Sequence, residues 1–127
     1  MTELEKRKKI LIVDDEVESV GYLERILLRQ NYDVISANNG TNAIDLAQGH
    51  LPDLIILDII LPDMEGSEVA AKLRENPSTK DIPIIVVSGV VLCKEDQTQN
   101  DLPGCKQYVL AKPITPQEII ELIAKIL

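Results

Sequence analysis

Short apolar runs recur along the chain at intervals. They are Ile10-Leu11-Ile12-Val13, Val34-Ile35-Ser36-Ala37, Leu54-Ile55-Ile56-Leu57, Ile84-Ile85-Val86-Val87 and Tyr108-Val109-Leu110-Ala111. As a group they are rich in β-branched residues, and they lack the strict apolar–polar alternation of a half-wet strand. Runs of this kind predict strands covered on both faces.

The stretches between them carry helical spacing. Val17 to Gln30 places Val20, Leu23 and Leu27 on one side, Thr41 to Gln48 is short, and Ser67 to Glu75 holds Val69, Ala70 and Leu73. Asn76-Pro77 ends that third helix, because the residue before a proline is pushed out of the helical region. In the last helix Thr115 is an N-cap, Pro116 sits in the first turn and Glu118 completes a capping box. Ile119, Leu122, Ile123 and Ile126 then form its apolar stripe. Val90 to Pro103 starts apolar and turns polar through Lys94 to Asp101. The alternation of the chain predicts a further helix there, short or mobile because its apolar face is poor. Five β/α units in succession predict an α/β fold: a parallel sheet with right-handed crossovers and helices on both faces.

At 127 residues the chain fits one domain, with residues 1–8 as a tail and 9–127 as the folded unit. The only aromatics are three tyrosines, so isoleucine, leucine and valine must fill the core. A net charge of −8 repels phosphate backbones, which argues against direct nucleic-acid binding. No apolar run is long enough to span a bilayer. The charged start, including Lys6-Arg7-Lys8-Lys9, lacks the apolar stretch of a signal peptide and reads as a solvated tail. Cys93 and Cys105 have neither metal spacing nor a disulfide framework, as expected of a cytoplasmic protein with reduced thiols.

Chemistry gathers just after the strands. Asp14-Asp15 follow the first, Asp58 the third, Ser88 the fourth and Lys112-Pro113 the fifth. In a parallel sheet these carboxyl ends share one edge, where ligands of open α/β sheets bind. One aspartate after a strand is ordinarily a loop residue or a helix cap. Three carboxylates, a hydroxyl and an ammonium brought together mean more. The carboxylates repel one another and call for a cation, and an all-oxygen donor set suits Mg²⁺. A carboxylate can also be a nucleophile that forms an aspartyl phosphate, with the neighbouring cations offsetting charge on the phosphoryl oxygens.

The strings KILIVDDE, DLIILDIILPDMEG, IPIIVVSG and YVLAKPI, in that order, resemble the receiver domain of two-component response regulators from about Lys9 to Leu127. The resemblance, not the periodicity, implies a flavodoxin-like five-stranded sheet of order 2-1-3-4-5. It implies that Asp58 is the phosphoacceptor, taking a phosphoryl group from a histidine kinase or histidine phosphotransfer protein. Asp14, Asp15, Asp58 and the backbone carbonyl of Ile60 would hold Mg²⁺. Ser88 would be the switch hydroxyl, Gly89 would keep access open, Lys112 would meet a phosphoryl oxygen, and the Lys112–Pro113 bond would be cis. Such a domain is a signalling module rather than an enzyme with an external substrate; it catalyses its own phosphotransfer and slow self-dephosphorylation. The slow loss is expected because Ile60 and Val90 are apolar at the positions that tune it. Its output would go to a downstream protein target or to a separate output domain, and the two stay open.

One departure concerns the output. The family places an aromatic switch residue three before the lysine, where this chain has Val109; Tyr108 is four before. One step along a strand reverses the face, so Tyr108 reaches the switch position only through a bulge. His50, Tyr22 and Tyr32 are read as surface or packing residues, so the donor histidine comes from a partner. A phosphatase of the aspartyl-phosphate class would need a D-x-D nucleophile after the first strand, which Asp14-Asp15-Glu16 does not supply. A degenerate receiver acting only as an interaction module would lack part of the acidic, hydroxyl and lysine set, and Asp14, Asp15, Asp58, Ser88 and Lys112 are all present; the Tyr108 offset keeps that reading open for the output alone.

Overall fold

The computed structural model describes residues 7–88 and 107–127. The chain runs β1 (Lys9–Val13), α1 (Val17–Arg29), β2 (Asp33–Ala37), α2 (Gly40–His50), β3 (Leu54–Asp58), α3 (Gly66–Glu75), β4 (Ile84–Ser88), β5 (Gln107–Ala111) and α4 (Pro116–Ile126). The five strands form one parallel sheet of order β2-β1-β3-β4-β5. This is the α/β architecture and strand order expected. The helix expected over Val90 to Pro103, both cysteines and most of the N-terminal tail lie outside the described residues, so α4 is the last helix of the chain.

The continuous apolar runs are explained by a core on each side of the sheet. Leu11, Val13, Ile55, Leu57, Ile84 and Val86 face α2 and α3, where Ala43, Ala47, Val69 and Leu73 meet them. Their strand neighbours Ile10, Ile12, Leu54, Ile56, Ile85 and Val87 face α1 and α4, against Leu23, Leu27, Ile119 and Ile123. Every residue of β3 is buried. Burial of each such side chain contributes roughly 1.5–3 kcal/mol, so the central strands are rigid supports for whatever extends from their ends.

Helix ends follow local chemistry with two exceptions. The Thr115 hydroxyl accepts from the Glu118 N–H at 3.1 Å while the Glu118 carboxylate accepts from the Thr115 N–H at 3.0 Å, and Pro116 opens α4. Asn76 leaves the helical region before Pro77 and stops α3. By contrast α1 has no side-chain cap of its own at Glu16. Its start is held by Asp14, whose Oδ1 accepts from the Glu16 N–H at 2.9 Å. The second exception is α2, which runs longer than Thr41 to Gln48. Asn39 caps it through the Asn42 N–H, and the carboxylate of Asp63 accepts from the N–H groups of Gly40 and Thr41 at 2.7 and 3.0 Å. No helix among the described residues is long and apolar enough to cross a membrane.

Candidate phosphoacceptor site

β1, β3, β4 and β5 all end at the same edge of the sheet. Asp14 steps off β1 with its N–H bonded to the Ala37 carbonyl at 3.1 Å, so its backbone is fixed by β2 and its side chain by α1. Asp58 is the last residue of β3 and pairs with Val87 of β4. Beyond it the Ile59 N–H still bonds to the Val87 carbonyl, at 3.1 Å, and the Gly66 N–H bonds to the Ile59 carbonyl at 2.7 Å. The first turn of α3 therefore presses on the backbone of Asp58. A Cβ at Gly66 would lie 2.6 Å from the Asp58 carbonyl oxygen and 2.9 Å from the Ile59 Cα. Only glycine permits that approach.

Asp14, Asp15 and Asp58 each offer a carboxylate oxygen, all within 4.8 Å of one another. Asp14 is 5% exposed and Asp58 9%, whereas Asp15 opens to solvent. The Lys112 ammonium reaches in from the far side of the sheet, 3.4 Å from Asp14 Oδ2 and 3.8 Å from Asp58 Oδ2. Burial, and then the charge of Asp14, push the Asp58 carboxyl above its ordinary pKa; Lys112 and the N–H groups of Ile60 and Ile59 pull it down without cancelling the rise. One ammonium against three carboxylates leaves the site short of positive charge. The donors are all oxygen, one side is open to water, and Lys112 relieves the mutual repulsion only in part. That set fits a hard divalent cation that keeps part of its hydration shell.

The remaining expected residues are placed as follows. The Lys112–Pro113 peptide is cis. Ile60 directs its N–H at Asp58 Oδ1, 3.4 Å away, and its side chain is 63% exposed. The backbone of Ser88 pairs with Ala111 at the end of β4; its hydroxyl, and Gly89, lie outside what is described. β5 pairs with β4 residue for residue from Gln107 to Ala111, with no bulge. Tyr108 accordingly packs in the core shared with α1 and α4, and Val109 in the one shared with α2 and α3. His50 is exposed at the end of α2.

Three residues at the site were given no functional role by the sequence reading. Gly66 permits the close contact above. Asp63 ties the β3–α3 loop to the start of α2, and these hydrogen bonds hold its carboxyl below the ordinary range. Tyr22 of α1 donates its hydroxyl proton to the Ile114 carbonyl at 2.8 Å. A cavity of about 610 Å³ beside the site is lined by Ile12, Tyr22, Ile56, Asp58, Lys112 and Pro113 among others.

A five-stranded parallel sheet of this order, with an acidic cluster and a lysine on its carboxyl edge, defines a flavodoxin-like class of fold. The family model described as the response regulator receiver domain matches residues 10–124, and the chain belongs to that family. It is 34% identical over 116 residues to the polar-differentiation response regulator DivK of Brucella anthropi, covering 91% of this chain and 93% of that one. Among solved structures, the chemotaxis response regulator CheY4 of Vibrio cholerae superposes with a TM-score of 0.82 at 25% identity, over 95% of this chain and 99% of that one. A CheY-like receiver domain protein from Methanospirillum hungatei gives 0.78 at 27% identity, over 94% and 92%.

Proposed function

We propose that this receiver accepts a phosphoryl group on Asp58 from the phosphohistidine of a histidine kinase or histidine phosphotransfer protein, with Mg²⁺ held by Asp14, Asp15, Asp58 and the Ile60 carbonyl. The observation that carries the proposal is the convergence of three carboxylates and the Lys112 ammonium at the end of a buried, rigid strand. A carboxylate oxygen of Asp58 attacks phosphorus, the phosphorus–nitrogen bond breaks, and its electron pair stays on the donor's imidazole. The product is an acyl phosphate on Asp58. Lys112 lies within reach of an oxygen of the incoming group, and its charge favours the transition state over the free carboxylate. When bound, Mg²⁺ supplies positive charge that offsets the three carboxylates and the phosphoryl oxygens.

Ser88 is proposed to bond a second phosphoryl oxygen, with Gly89 leaving room for it. The signal then passes to a downstream protein target or an output domain through a changed interaction surface. Tyr108 is a poor candidate for the moving ring, since its unbroken register puts it on the face of α1 and α4 while Val109 holds the family's switch position. The acidic surface argues against a nucleic-acid partner for this domain, and a cytoplasmic site of action accords with a kinase donor.

Mg²⁺ titration followed by amide chemical shifts tests the metal assignment. Asp15→Asn is expected to weaken binding about tenfold or more, a loss of at least about 1.4 kcal/mol. Equal affinity in the variant and the parent contradicts the ligand set.

A further inference from the structure

We propose that Tyr22 is a positioning residue for Lys112: its hydroxyl holds the loop after β5 so that the ammonium stays over Asp14 and Asp58. This rests on the reading of Asp58 as phosphoacceptor.

The two halves of the site belong to strands that do not touch. β1, which carries Asp14 and Asp15, is separated from β5 by β3 and β4. No strand ladder fixes Lys112 relative to the acidic pair. The β4–β5 ladder ends at Ser88 and Ala111, one residue before the lysine. Lys112 thus leaves the last paired residue with its side chain partly exposed. A long, flexible ammonium stem loses rotamer freedom when it is held in one place, so something beyond the ladder must hold its backbone.

α1 provides that support. It begins directly after the acidic pair, and its start is pinned by the Glu16 N–H on Asp14. Tyr22, further along the same helix, donates to the carbonyl of Ile114, two residues beyond Lys112 and 92 positions away in sequence. Ile114 is buried in the core shared by α1 and α4. The bond closes a ring: Asp14 to α1, α1 through Tyr22 to the Ile114 loop, and that loop through Lys112 back to Asp14 at 3.4 Å. The tyrosine also forms part of the wall of the cavity into which Asp58 and Lys112 open. A leucine in its place would have no donor for the Ile114 carbonyl.

The test is a double-mutant cycle on the rate of phosphorylation by acetyl phosphate at saturating Mg²⁺, with Mg²⁺ affinity measured separately. Tyr22→Phe keeps the ring and removes the donor. It is expected to lower the maximal rate about three- to tenfold, the range of one lost hydrogen bond, and to leave Mg²⁺ affinity unchanged because no carboxylate is touched. In a Lys112→Ala background the same change is expected to have no further effect, since a positioning residue has nothing left to position. An unchanged rate in Tyr22→Phe overturns the proposal. So does a multiplicative loss in the Lys112→Ala background, which means that Tyr22 acts independently of the lysine. If the parent is not phosphorylated on Asp58 at all, the phosphoacceptor reading has failed, and that outcome is distinct from a labelled parent with an indifferent Tyr22→Phe.

Discussion

Gly66→Ala perturbs the backbone of Asp58, the proposed acceptor, without touching any charged group. The added Cβ would lie 2.6 Å from the Asp58 carbonyl oxygen and 2.9 Å from the Ile59 Cα, against 3.4 Å for ordinary contact, so one side must yield by about 0.8 Å. Both neighbours are backbone atoms and cannot rotate away. Overpacking of this kind costs about 1–3 kcal/mol, and two backbone contacts place this site in the upper part of that range. Alanine's better helix propensity returns at most about 1 kcal/mol. The net loss is about 1–2 kcal/mol. Unfolding entropy is about 2.1 cal/mol/K per residue, so a chain of 127 residues should lose roughly 4–7 °C in Tm. The shift also moves Asp58 relative to Lys112 and Asp14, and displacements near 1 Å can cost up to about 100-fold in rate. Phosphorylation by acetyl phosphate should therefore slow about tenfold or more. Gly49→Ala is the control, because a Cβ there meets nothing within 4 Å; it should be neutral or slightly stabilising. The reasoning is refuted if Gly66→Ala melts with the parent and is phosphorylated at the parental rate.

Three further changes probe the site from other directions. Asp58 has a folded pKa above its unfolded one, mainly through burial and then through Asp14, so its ionised form costs stability at pH above the folded pKa, and the cost disappears as pH falls below the unfolded value near 3.8. Urea melts without metal should show Asp58→Asn more stable than the parent at pH 7, with the gap closing toward pH 4; a gap that widens on acidification has the wrong sign. Asp63 is the opposite case: its pKa is lowered by the Gly40 and Thr41 bonds, so its contribution is present above the unfolded pKa and is lost on acidification through the folded one. Asp63→Ala should raise hydrogen exchange at the start of α2 at pH 7, and protection equal to the parent's there would remove Asp63 as a cap. Ile60, exposed and without a polar group beside Asp58, cannot orient an attacking water, so Ile60→Asn should shorten the lifetime of the phosphorylated form in a decay assay; a longer lifetime would contradict this role.

How much of this was legible in the chain depends on the range of the interaction. β3 announces itself because burial on both faces writes Leu54 to Leu57 as one unbroken apolar run. The meeting of Asp14, Asp58 and Lys112 follows from strand ends alone, since parallel strands bring their carboxyl ends to one edge. The face of Tyr108 follows from the period of two, and β5 has no bulge to reverse it. Strand order is different: periodicity is silent on it, and it came from the family resemblance. α2 begins within one residue of its expected start but continues two residues past Gln48 to His50, and the carboxylate of Asp63 that caps its start lies 22 or 23 positions away, where no local pattern marks it. Tyr22 was read as a packing or surface residue for the same reason, as nothing near it in sequence marks a partner at Ile114. Gly66 stood in a quoted motif, but its reason is a contact with a neighbouring backbone that only the fold creates.

The most direct test of the central claim uses phosphoramidate, whose phosphorus–nitrogen bond is of the kind found in phosphohistidine. The protein is incubated with it and Mg²⁺, the acyl phosphate is reduced with borohydride to homoserine, and the modified peptide is sequenced by mass spectrometry. The expected result is homoserine at position 58 alone, with none formed in Asp58→Asn or when the metal is chelated. Phosphate on His50 or at any other position, or undiminished labelling of Asp58→Asn, would contradict the assignment of Asp58 as the acceptor.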